Sequence, residues 1–467
     1  MTRHHELGRR VFWWQQCSHL TNFARALVLM RLLAPDMFGK FALAVTLASY
    51  VSILRAFDFR TPIIAAKALD RNLLATQFNA EMCLALLNLL GSLLVVPWLG
   101  SGYEEVVLML MVALVLVDAV DASFSTPMYL AERELRFPFL TRAKSAINLV
   151  SFVACIALAW GGFGVWALFA DRLIASSLLA FVIWQQTSWR PSMDFRRESM
   201  VYFLKFGGVL FIGGLLGKLL FGFDQIMVGT FWDNETLGYY SKAMAWARLP
   251  MELGTGFLSM MALAIYSEGS READGAAGRR YEDLSYDIAA IALWMTACMA
   301  LSFGDVVPLL FGSRWNPMTP IFLALIPYAV VRPLFQNAAQ CLTSLHEQRY
   351  FLGVVAVITT LDLLSVILCL GHSVLWVAVV SGGVLWVGYL LLEWRVGRCL
   401  APISQGHLAG PFGLFFATLV VGASIHMAAL GDPWRIGCNA GLTVIYTVVA
   451  VWEWKQRKRM RRRGGAP

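Results

Sequence analysis

LAPDMFGKFALA at Leu33–Ala44 returns as WDNETLGYYSKA at Trp232–Ala243, 199 residues further along the chain. At that constant offset Asp36 meets Glu235, Phe38 meets Leu237, Gly39 meets Gly238, Phe41 meets Tyr240 and Ala44 meets Ala243. Each copy is a short polar break that leads into an apolar run. Six apolar runs separate the copies, an even number, so both enter a membrane in the same direction. The repeat predicts two parallel six-helix bundles related by an axis along the membrane normal, an architecture of transporters.

The surrounding composition agrees. Of 467 residues, 58% are hydrophobic and 15% charged, and the mean hydropathy is +0.63. A soluble domain carries roughly 25% charged residues, so the polar surface to cover one is missing. Apolar runs of about 20 residues, each long enough for a hydrocarbon core of about 30 Å, recur from end to end. They predict an all-α polytopic membrane protein with about fourteen transmembrane helices, near 11–33, 38–58, 79–99, 105–127, 145–160, 164–185, 203–231, 238–265, 286–304, 318–342, 350–370, 372–394, 409–430 and 436–454. Residues 1–200 and 201–398 form the two six-helix bundles on this reading, and 399–467 adds two helices and a basic tail.

Orientation follows from Lys and Arg, which cytoplasmic loops retain. Alternate loops hold clusters such as Arg3, Arg9 and Arg10, then Arg60, Lys67 and Arg71, then Arg133, Arg136, Arg142 and Lys144. The series continues through Arg190, Arg196 and Arg271 to the tail at Lys455–Arg463, while the opposite loops hold mainly Lys40, Arg314 and Arg435. Both termini are therefore expected in the cytoplasm. The tail reads as a topology anchor on anionic lipid rather than a nucleic-acid site. Eight cysteines stand singly, mostly in apolar runs, and read as buried packing residues; neither they nor the seven histidines have metal-ligand spacing. GGLLGK at 213–218 lacks the spacing of a phosphate loop and lies inside a span.

The repeated stretches resemble the multidrug/oligosaccharidyl-lipid/polysaccharide flippase superfamily, in its polysaccharide-exporter branch. RLLAPDMFGKFALA (31–44) is similar to the opening signature, FDQIMVGTFWDNETLGYYSKA (223–243) to the seventh-helix signature, and LFGSRWNPMTPIFLALIPYAVVRPLF (310–335) to the tenth-helix region. The resemblance implies alternating access of two bundles around a central cavity in a bacterial inner membrane. Its implied cargo is a polyprenyl-diphosphate-linked oligosaccharide or related polysaccharide for cell-surface assembly. It also implies a non-enzymatic protein with no cofactor, working as a monomer beside a polymerase and glycosyltransferases.

Ionisable residues within spans mark the transport path, since a charge at mid-bilayer costs roughly 2.5–3.5 kcal/mol on insertion scales. Arg25, Lys218, Arg248 and Arg332 fall near mid-helix in both halves. They either pair structurally with acids such as Asp118, Asp121, Asp171, Asp224, Glu252 and Asp362, or line a cationic cavity for a diphosphate headgroup, a task suited to guanidinium. Asp224 is a candidate for a coupling ion, H+ or Na+, or a lock between helices. Pro250 and Pro333, beside Arg248 and Arg332, are expected to kink cavity-lining helices. Gly207, Gly208, Gly213, Gly214 and Gly217 are expected to let neighbours approach the seventh span. Two other functions fit less well. A small-molecule exporter of the same superfamily needs a less cationic cavity, and a membrane glycosyltransferase or polymerase needs larger outer loops.

Overall fold

The computed structural model describes residues 2–66, 69–100, 102–269, 276–400, 408–427 and 432–464. Lys67 and Arg271 of the basic loops lie outside them, as do the side chains of the first basic cluster and of the tail beyond Arg457. Among the described residues there is no strand, and the chain forms two compact units, Met1–Gly238 and Tyr239–Pro467.

The first unit contains α1 (Thr2–Leu32), α2 (Pro35–Val51), α3 (Arg60–Ala65), α4 (Arg71–Leu99), α5 (Glu105–Ser123), α6 (Ser125–Arg133), α7 (Phe137–Trp160), α8 (Val165–Gln186), α9 (Arg197–Leu220) and α10 (Phe223–Phe231). Helix α11 (Asn234–Leu249) starts in it and crosses the boundary. The second unit continues with α12 (Gly256–Gly269), α13 (Ala276–Phe311), α14 (Met318–Ala324), α15 (Ile326–Ser344), α16 (Gln348–Leu368), α17 (Val374–Cys399), α18 (Ala409–Met427) and α19 (Asp432–Gly464).

Among the described residues, nine helical segments are long and apolar enough to cross a membrane, one of them Phe211–Phe231 across α9 and α10, and α14 with α15 makes a tenth as a pair bent by 52°. The other expected spans coincide with α1, α2, the α11–α12 run and α18. Helix α2 has only 17 residues, and α1 carries charges along its length. The surface suits lipid rather than water. On α4, Leu86, Leu87, Leu90, Leu93, Leu94 and Trp98 are all exposed, a continuous apolar stripe that a soluble protein would hide.

Local sequence explains the breaks. Pro35 stands in the first turn of α2, where its missing N–H is no loss, with Asp36 beside it at the positive end of the helix. Pro250 opens a π-helical segment, Pro250–Thr255, between α11 and α12, as its clash with the preceding turn requires. Pro333 behaves otherwise: α15 runs through it, and the bend falls at Leu325, where α14 ends and Pro327 opens α15. The seventh span is interrupted by a two-residue turn, the break at Phe221–Gly222 between α9 and α10, within the crossing segment Phe211–Phe231.

Two smaller expectations change. A Cβ at Gly217 would have open space around it among the described residues, so this glycine brings no neighbour close; in the seventh span the close approach is at Gly229, against Leu43 and Leu237, and the tightest backbone approaches of all lie at Gly39 and Gly238. Of the cysteines, Cys155 and Cys341 are buried, while Cys17, Cys83, Cys399 and Cys438 are exposed. Thiols tolerate lipid, so packing was not needed to keep them there.

Gly39 and Gly238 deserve their small size. A Cβ on Gly39 would overlap the Asn234 carbonyl oxygen, and one on Gly238 would overlap the Pro35 carbonyl oxygen. The first turns of α2 and α11 thus meet backbone to backbone, through the two copies of the repeated stretch. Polar groups surround the crossing: Lys40 Nζ lies 3.1 Å from Asp36 and 2.9 Å from Glu104, and Asn234 Nδ2 donates to Glu104 Oε1 at 2.7 Å.

Candidate functional site

In the first unit α1 packs on α7, and α7 on α8. Arg25 of α1 donates from Nη1 to Asp171 Oδ2 at 2.7 Å and from Nη2 to the Asn148 carbonyl at 2.8 Å, and it also reaches Asn148 Oδ1. Its guanidinium lies 5.7 Å from the Phe152 ring centroid. A charge-assisted bond of this kind is roughly twice as strong as a neutral one, so Arg25 ties α1 to α7 and α8.

Adjacent helical positions do not face each other, and the residue after Asp171 points elsewhere. Arg172 lines a cavity of about 270 Å³ together with Val45, Ala48, Ser49, Ser52, Leu114, Asp118 and Lys218. Helices α2, α5, α8 and α9 supply these walls. Lys218 Nζ donates to the Ser49 carbonyl at 3.0 Å. Ser52 is 2% exposed and its hydroxyl has no hydrogen-bond partner among the described residues. Asp224 stands in the first turn of α10, 4% exposed, and its Oδ1 accepts from the Gln225 N–H at 2.8 Å. A second cavity of about 300 Å³ holds two carboxylates, Glu81 and Asp121, with Tyr129 donating to Glu81 at 3.1 Å.

In the second unit Arg248, near the end of α11, lies within electrostatic reach of Arg332 on α15, and Tyr328, one turn before Arg332, hydrogen-bonds it. The four cations read from the sequence therefore fall in different settings. Arg25 is engaged by an acid, Lys218 lines a polar cavity, and Arg248 and Arg332 share one neighbourhood. Sequence reasoning passed over Arg172 and Ser52. The signal for Arg172 was its own adjacency to Asp171, which forces the two onto different faces. Ser52 carries no sequence signal beyond lying one turn from Ser49.

The fold and its internal charges define a multi-pass membrane protein of transporter type. Residues 28–320 match the polysaccharide biosynthesis protein family, and the chain belongs to that family. It is 20% identical over 310 residues to a succinoglycan biosynthesis transport protein, ExoT, of Rhizobium meliloti, covering 64% of this chain and 60% of that protein. It is 19% identical over 241 residues to the teichuronic acid biosynthesis protein TuaB of Bacillus subtilis, covering 51% and 50%. The matches thus span half to three fifths of these relatives. Among solved structures, the lipid II flippase MurJ in an inward closed conformation superposes with a TM-score of 0.74 at 14% identity, covering 94% of this chain and 98% of that one. An inward-facing multidrug resistance MATE transporter gives 0.59 at 16% identity, covering 82% and 95%. At these identities the likeness concerns the fold. The resemblance to the polysaccharide-exporter branch of the flippase superfamily is borne out.

Proposed function

We propose that the chain is a flippase that moves a polyprenyl-diphosphate-linked oligosaccharide, or a related polysaccharide, from the inner to the outer leaflet of a bacterial inner membrane. Both termini lie in the cytoplasm, and the halves 1–200 and 201–398 alternate access while 399–467 is appended. The observation that carries this reading is the mixed-charge cavity around Lys218, Arg172 and Asp118 inside a transporter fold of a polysaccharide biosynthesis family. Cations within a membrane-spanning helical fold are costly unless they face a wet path or an anion, and here Lys218 and Arg172 line a cavity. A diphosphate supplies the anion, and hydroxylated sugar supplies partners for the carboxylate.

Among the predicted substrate-binding residues, Lys218 is the best supported. Arg248 and Arg332 form a second cationic neighbourhood for the same headgroup, and Arg25 reaches cargo only by releasing Asp171. Asp224, a buried carboxylate beside the α9–α10 break, exchanges the coupling cation, H+ or Na+. The protein works without enzymatic chemistry, as a monomer beside the glycosyltransferases and polymerase that build and extend the cargo.

Deleting the gene is expected to trap lipid-linked oligosaccharide on the inner leaflet, measured by enzymatic labelling of right-side-out and inverted vesicles. Normal surface polysaccharide in the deletion strain overturns the reading.

A further inference from the structure

We infer that the cavity framed by Ser49, Ser52, Asp118, Arg172 and Lys218 is a sugar-phosphate subsite whose occupancy clamps the α9–α10 joint to α2. The inference rests on the anionic-cargo reading above and adds to it a residue set, a ligand chemistry and a mechanical consequence.

The ends of helices carry carbonyls that no intrahelical N–H can reach. Helix α2 ends at Val51 and α9 at Leu220, and each lends the other a side chain. Lys218 Nζ of α9 donates to the Ser49 carbonyl of α2 at 3.0 Å, and the Tyr50 hydroxyl of α2 donates to the Lys218 carbonyl of α9 at 3.1 Å. A cation is also the favoured occupant of a helix C-terminus. The reciprocal pair sits three residues before the break at Phe221–Gly222. Gly222 keeps the joint open to it: a Cβ there would stand 3.0 Å from the Lys218 carbonyl oxygen and 3.6 Å from the Tyr50 hydroxyl.

The same ammonium faces the cavity. With its three protons, Lys218 serves the latch and the lining together. Arg172 offers a planar fork of donors suited to phosphate oxygens. Ser52 is buried, borders the cavity and has a hydroxyl with no partner among the described residues, the mark of a group awaiting one. Asp118 opposes a bare polyanion but accepts from hydroxyl groups, so the lining fits a phosphate ester carrying a sugar better than free phosphate. A ligand bonded to Arg172, Lys218 and Ser52 bridges α8, α9 and α2 at once. It binds only the arrangement in which those helices frame the cavity, and so shifts the population toward a closed joint.

The test uses the full chain in lipid nanodiscs with glucose 1-phosphate as probe and inorganic phosphate and glucose as controls. Binding is followed by calorimetry and the joint by hydrogen exchange over residues 219–226. Glucose 1-phosphate is expected to bind and to slow exchange there by about threefold or more. Arg172→Gln and Ser52→Ala weaken binding by about tenfold or more and lose the slowing in proportion, with Ser52→Ala securing the result where Arg172→Gln fails to fold. Tyr50→Phe keeps binding, but its joint exchanges about threefold faster without ligand. Lys218→Arg restores binding that Lys218→Met loses. Binding without slowed exchange overturns the clamp, as does a Tyr50→Phe joint that exchanges like the wild type. Absence of binding to the wild type, or binding unchanged in Arg172→Gln or Ser52→Ala, overturns the subsite. The broader reading is judged separately by export: if deletion traps cargo while Arg172→Gln and Tyr50→Phe export normally, the inference fails and the flippase reading stands.

Discussion

At its first turn α2 meets the start of α11 backbone to backbone, through Gly39 and Gly238. At its last turn it meets α9 through side chains, with Lys218 on the Ser49 carbonyl and Tyr50 on the Lys218 carbonyl. The first junction obeys the repeat. Pro35 and Asn234 correspond at the offset of 199, as do Gly39 and Gly238, so the contacts are reciprocal, in the manner of an isologous interface. The second junction has no counterpart, since the same offset carries Ser49 to Arg248 and Tyr50 to Leu249. Deeper in the helices the charges themselves change sign, Arg25 corresponding to Asp224. Duplication has kept the shape of the crossing and let the chemistry diverge, and the chemistry is where a cargo is told apart.

The largest effect is expected from added bulk at the symmetric end. Gly39→Ala and Gly238→Ala are each expected to destabilise the protein by about 3 kcal/mol, the upper end of overpacking effects, because the obstacle is a carbonyl and not a side chain that can swing away. Thermal unfolding in detergent measures it, with Gly217→Ala as the control. Among the described residues Gly217 has nothing near its missing Cβ and it stands in α9, so alanine there is expected to gain up to about 1 kcal/mol. Equal behaviour of the three variants removes the close-packing account of the junction.

The second effect in size concerns whether a cation in the first unit holds structure or cargo. Arg25→Ala leaves Asp171 without its guanidinium. With both side chains about four-fifths buried, the loss is expected to be about 3 kcal/mol, the range for breaking a buried pair. Arg25→Ala with Asp171→Ala removes both charges and is expected to recover part of that stability. Export separates the two roles. If Arg25 only anchors α1, the double variant exports cargo as well as its stability allows; if export stays abolished in a stable double variant, Arg25 touches cargo.

What was legible in the sequence follows the same division. The membrane class, the helical fold and the repeat could be read because span length, hydropathy and the Gly-bearing turn are local properties. The glycine pair was visible at 39 and 238 because only residues without a Cβ permit backbone contact. The partnership of Arg25 with Asp171 spans 146 positions, and nothing in either neighbourhood chooses that acid over Asp118 or Asp121. The break at Phe221–Gly222 was hidden for another reason: the residues on both sides are apolar or helix-compatible, and the orphaned carbonyl is satisfied by a tyrosine from a distant helix. Pro333 misled because a proline in a membrane helix is accommodated when neighbours supply the packing, as around the buried Val331 and Leu334.

The smallest expected effect tests what holds the symmetric end together. Glu104 joins Lys40 on α2 to Asn234 at the start of α11, and its side chain is half exposed. Exposed ion pairs contribute about 0–1 kcal/mol, because water competes for both charges. Glu104→Gln keeps an oxygen for the Asn234 amide and removes only the charge facing Lys40, which still has Asp36 at 3.1 Å. The change in stability is therefore expected to stay within about 0.5 kcal/mol and to vanish at high salt, where exposed charges are screened. A loss comparable to that of Gly39→Ala would mean that charge and not backbone packing seals the crossing, and the glycine pair would then be a consequence of the junction instead of its cause.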